Sequence, residues 1–141
     1  MSFMSLRLDY LAEGDDGGPL IRIFGRDEKA MGDFIAVIER LKLGSPAIKL
    51  GSEHGIAPVN CELSIGMSSR GPTSLRELKP KQSFLWTLNE GEHAHVLGLL
   101  EPFRRLDPHD AYQWLRDDAS GLDAKGRCIR ILVSASDNGT W

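Results

Sequence analysis

Apolar and charged residues alternate over 6–10, with Leu6, Leu8 and Tyr10 set against Arg7 and Asp9. That is the period of a strand with one buried face. A polar cluster over 13–18 interrupts it, and after Pro19 the β-branched, apolar run 20–24 begins a second strand. The pair reads as a hairpin closed by a mobile loop instead of a tight two-residue turn. The clearest signal lies in 27–43, where Met31, Phe34, Ile35, Ile38 and Leu41 recur at three- and four-residue spacing. This is one apolar stripe on an amphipathic helix. Asp27 and Glu28 suit the positive end of such a helix, Arg40 and Lys42 its negative end, and Gly44 stops it. The stripe is expected to pack on a sheet.

Residues 47–50 form a short, weak strand candidate, followed by a loop that carries His54, Gly55 and Pro58. Cys61, Leu63, Ile65 and Met67 then alternate with Glu62, Ser64 and Gly66, again the strand period. The stretch 68–82, rich in Ser, Gly, Pro and Lys, is longer than an ordinary connection and reads as a functional or loosely held loop. Residues 84–88 read as a buried strand. Asn89 and Glu92 after it have the spacing of a helix cap and its reciprocal partner. Val96, Leu97, Leu100 and Phe103 share a side of that second helix, which Gly98 and Pro102 weaken. Beyond the turn at Asp107 and Pro108, the stretches 111–116 and 127–134 suit an antiparallel pair. The whole reads as one α+β domain over 1–141, with about seven strands and a helix pair in the order ββαβββαββ and a mostly antiparallel sheet.

Composition narrows the functional classes. A chain of 141 residues, 41% hydrophobic and 26% charged, buries a core of its own without staples. A net charge of −3 gives no field for holding a polyanion, so nucleic acid is not an expected partner. No window approaches the roughly eighteen apolar residues of a spanning helix, and the N-terminus lacks a basic stretch followed by an apolar one. Cys61 and Cys128 lie in apolar runs without metal-type spacing. The expectation is a cytoplasmic protein with free thiols and no membrane association.

Candidate chemistry is sparse. His93 and His95 form a pair that would share a metal on a strand, but on a helix they stand about 200° apart around the axis. His109 between Asp107 and Asp110 resembles a base with a carboxylate partner, although turn neighbours point in different directions. Cys61 with His54 or His93 would make a thiolate nucleophile only at an electropositive edge, not in the middle of a strand. Residues 66–71 lack the ending of a phosphate-binding loop, and no strand precedes a GxGxxG. No cofactor and no metal are expected.

Aromatic and basic residues point elsewhere. Tyr112 and Trp114 alternate in a late strand, Trp141 ends the chain, and Arg70, Arg76, Lys79 and Lys81 gather in the long polar stretch. Aromatic and Arg side chains carry most interface energy, and long loops on a rigid sheet collect binding residues. Tyr112, Trp114, Trp141, Arg70, Arg76 and Lys79 are therefore the expected binding residues, with a core role for Trp114, a Trp141 folded back over an edge of the core and a solvated loop for the basic group as the plainer alternatives. The function expected is a module that binds a protein partner, a second copy of itself included. The immunity proteins of bacterial toxin systems are one version, by analogy of size and charge alone. The alternative is a small hydrolase or metal-dependent enzyme using His54, His93, His95, His109 or Cys61.

Overall fold

Strand alternation and the helical stripe are both realised. In the computed structural model, which describes residues 6–15, 18–25, 28–41, 46–52, 56–68, 74–79, 81–104, 112–116 and 129–134, Leu6, Leu8 and Tyr10 of strand β1 (Leu6–Asp15) are buried. β1 pairs antiparallel with β2 (Gly18–Phe24). Asp15 pairs with Gly18, so only Asp16 and Gly17 separate the ladder's ends, and the register shifts between Leu11 and Asp15. The hairpin is thus longer than the alternation predicts, with a bulge where a loop was expected. A ladder needs only backbone N–H and C=O groups, so a polar stretch extends it without leaving a pattern to read.

Helix α1 (Glu28–Arg40) buries Met31, Phe34, Ile35 and Ile38 completely, with Ala30 and Val37 widening the stripe. Lys29 and Asp33 pair on its exposed side at 3.2 Å. Lys42 and Gly44, expected at its end, lie outside the described residues. Five strands follow: β3 (Ile48–Lys49), β4 (Ile56–Pro58), β5 (Glu62–Met67), β6 (Ser74–Lys79) and β7 (Ser83–Leu88). A 3-10 turn, Leu50–Ser52, links β3 to the chain leading into β4. Asn89 caps helix α2 (Glu90–Leu100), its carboxamide oxygen accepting from Glu92 N–H at 2.8 Å, which is the Asn89 half of the expected reciprocal cap. It gives way at Glu101–Arg104 to a 3-10 turn containing Pro102. Strands β8 (Tyr112–Arg116) and β9 (Arg130–Ser134) complete the described elements.

The class is α+β, but the strands form two mixed sheets and not one mostly antiparallel sheet. Five lie in the order β4-β1-β2-β9-β8 and four in the order β3-β5-β7-β6. The pairs β1–β4, β2–β9 and β5–β7 are parallel. The last two arise because β9 and β7, each antiparallel to the strand before it, insert beside an earlier strand, β9 between β2 and β8 and β7 between β5 and β6. Burial on both faces explains the first insertion: Ile131, Leu132 and Val133 of β9 are all fully buried, the unbroken apolar run of a central parallel strand.

A strand, β6, also lies inside the expected 68–82 loop, where it takes up six residues. β6 contributes one buried residue, Leu75, and pairs on one side only among the described strands, so it needs little of the hydrophobic pattern that marks a strand. β4 was likewise missed. It has three residues and ends at Pro58, and the edge is extended by a side chain: the Asn60 carboxamide accepts from Tyr10 N–H at 2.8 Å and donates to Tyr10 C=O at 2.9 Å. One apolar cluster joins both sheets and both helices, with the Tyr10 and Phe84 rings 4.9 Å apart where the sheets meet.

Candidate functional site

The pairing register fixes which side chains share a face. Across the five-stranded sheet, Asp9, Arg22, Leu132 and Trp114 form one row on the side opposite Leu8, Ile23 and Val133. Arg22 donates to Asp9 through Nε at 2.9 Å and through a second, shorter bond from Nη2. Its guanidinium also lies 4.6 Å from the centre of the Phe24 ring. Asp9 is buried, and a buried carboxylate is tolerated when an Arg fork and its hydrogen bonds replace water. Farther out, the Arg130 guanidinium lies 5.0 Å from the centre of the Trp114 ring. Trp114 is half-buried on the outer strand β8, so an Arg–Trp stack stands at that sheet's edge.

The expected binding residues separate into two places. Arg76 and Lys79 are exposed on β6, the outer strand of the four-stranded sheet, while Tyr112 and Trp114 belong to β8 in the other sheet. Tyr112 is placed through its backbone, opposite Ser134. Arg70 and Trp141 lie outside the described residues, as do His54, His109 and Cys128.

A third feature escaped the sequence reading. Ile65, Trp86 and Leu75 point into the core, so their neighbours in register, Ser64, Leu85 and Arg76, point outward, with Lys49 of β3 opposite Ser64. Lys49, Ser64, Leu85 and Arg76 therefore cross all four strands in one row. Thr87 and Ser74 form the next row on one side, and Ser83 and Lys79 the next on the other. Lys49, Arg76 and Lys79 are exposed, and none has an ion-pair partner among the described residues. Glu62, the acidic residue paired with Ser83, has its carboxylate engaged: Oε1 accepts from Gly51 N–H at 2.8 Å and from Leu63 N–H at 3.1 Å. The outward phase of the alternation in β5 and β7 held this signal, but β3 and β6 had to be located before the face could be assembled.

Of the candidate catalytic groups, Cys61 and His93 are engaged otherwise. Cys61 is buried, and its thiol is pushed from 9.0 up to about 12 by that burial, with the nearby negative charges of Asp9 and Glu62 adding to it. Little thiolate exists there at neutral pH, so Cys61 does not have the character of a nucleophile. His93 Nε2 donates to the Ile38 carbonyl at 2.7 Å, tying α2 to the C-terminal part of α1. A carbonyl can only accept, so that nitrogen carries the proton and is withheld from a metal. His95 is exposed on the same helix. Among the described residues, no group of three or more His, Cys, Asp or Glu is placed to hold a metal ion, and no helix is long and apolar enough to cross a membrane. Comparison with family models, with curated proteins and with solved structures gives no match.

Proposed function

We propose that this protein is an interaction module that binds a protein partner and neutralises or regulates it, as immunity proteins do. The Arg130–Trp114 stack on the outer strand of the five-stranded sheet supports this reading best. Trp and Arg are the residues most enriched among those that dominate interface energy. Stacking also holds the guanidinium in place, so little side-chain entropy remains to be lost on binding. Arg76 and Lys79, exposed on β6, and Arg70, Tyr112 and Trp141 belong to the proposed binding set.

Trp114→Ala tests it. The tagged parent, expressed in its native host, should co-purify with a stoichiometric protein identifiable by mass spectrometry, and the variant should lose that partner by at least about tenfold. Its melting temperature should stay within a few degrees of the parent's. A variant that retains the partner in full removes Trp114 from the interface. One that loses about 3 kcal/mol or more of stability shows that Trp114 serves the core.

A further inference from the structure

We propose that the outward face of the four-stranded sheet docks an acidic segment of the partner protein; this rests on the reading of the chain as a protein-binding module. Three cations, Lys49, Arg76 and Lys79, stand on that face against one carboxylate, Glu62, whereas the molecule as a whole carries a net charge of −3. The face is thus a local reversal of sign, which orients an acidic partner and disfavours a basic one. Lys49 and Arg76 mark opposite edges of the sheet, and between them lie the hydroxyls of Ser64, Thr87, Ser74 and Ser83. Hydroxyl donors between flanking cations suit carboxylates laid across the strands.

The same face argues against nucleic acid. Among the described residues it carries no aromatic side chain on which a base could stack: Leu85 is outward and Leu78 of β6 is exposed, but neither is aromatic, and Trp86 and Phe84 face the core. Three cations would also release few counterions from a phosphate backbone. Four strands spaced about 4.8 Å apart span roughly 14 Å, which about five extended residues cover. A short acidic segment is long enough.

The experiment uses fluorescein-labelled hexaglutamate with the full chain, followed by anisotropy and by amide chemical shifts. The expected result is saturable binding, weakened by added salt, with shift changes concentrated at Lys49, Ser64, Leu85 and Arg76. Lys49→Glu with Arg76→Glu should weaken it at least tenfold, and the milder Lys49→Gln with Arg76→Gln by a smaller factor. Lys29→Glu, on the exposed side of α1, should leave it unchanged. Shifts scattered evenly over the surface, no binding at low salt, or equal loss with Lys29→Glu would each overturn the proposal. So would tighter binding of an oligothymidylate of equal charge, which would turn the face over to nucleic acid. Trp114→Ala separates the two readings: it should leave hexaglutamate binding intact, so this face can fail while partner capture through Trp114 stands, and the reverse.

Discussion

Cys61 shows how much a residue's chemistry depends on its surroundings. It precedes β5 and is buried, with the charges of Asp9 and Glu62 near enough to oppose a third negative charge. In a Cys128→Ser background, an aromatic disulfide reagent at about pH 8 should modify Cys61 on the order of a hundredfold more slowly in the folded protein than in urea. Equal rates would show the thiol to be accessible and ionised. The same shift has a consequence for stability. The folded state holds this proton more tightly than the unfolded state, so the effect on stability is absent below pH 9.0 and becomes an increasing loss as pH rises toward about 12. Cys61→Ala should flatten that part of the alkaline decline, seen as a smaller fall in the urea midpoint between about pH 8 and about pH 10. Asn60 shows the same dependence on context in another form. Its side chain acts as a stretch of strand backbone toward Tyr10, a role that residue type alone does not announce.

Elements were legible where one periodic pattern coincided with one buried face. The α1 stripe was of this kind, and the Asn89 cap was legible for a different reason, that its signal is local and stereochemical. Ile35→Asp tests the stripe. It would place an unpaired carboxylate at a fully buried position between Met31 and Ile38, and the loss should be several kcal/mol, leaving the protein unfolded or melting far below the parent by circular dichroism. A melt within a degree or two of the parent would contradict the burial of the stripe. Elements went unread where pairing, not composition, makes the strand. β4 depends on the parallel ladder to β1 and β6 on the antiparallel ladder to β7, and neither presents more than one buried residue of its own. The sequence did hold one unused clue to topology. The run over 129–133 does not alternate, and Ile129, Ile131, Leu132 and Val133 are all fully buried, as expected of a strand covered on both faces. The basic residues of the candidate site were visible, but the face they occupy follows from register, which one sequence does not display.

For the molecule as a whole, two sheets raise the question of how many units fold. The described core is continuous: Leu6, Leu8 and Tyr10 from the five-stranded sheet, Leu63, Phe84 and Trp86 from the four-stranded sheet, and the buried residues of α1 and α2 all belong to one cluster. His93 adds a polar tie between the helices. Neither sheet could separate without exposing its share of that cluster, at roughly 25 cal/mol for each Å² of apolar surface. Unfolding should therefore be a single cooperative transition. Trp86 reports on the four-stranded sheet, and in a Trp114→Phe, Trp141→Phe background its fluorescence should follow the same urea curve as far-ultraviolet circular dichroism, which is dominated by α1 and α2. Leu63→Ala, a truncation in one sheet, should then lower both midpoints together, by an amount corresponding to about 2–5 kcal/mol. If fluorescence shifted alone, the four-stranded sheet would be a unit in its own right. Its outward basic face could then move relative to the Arg130–Trp114 edge, and one rigid partner surface could not be expected to engage both.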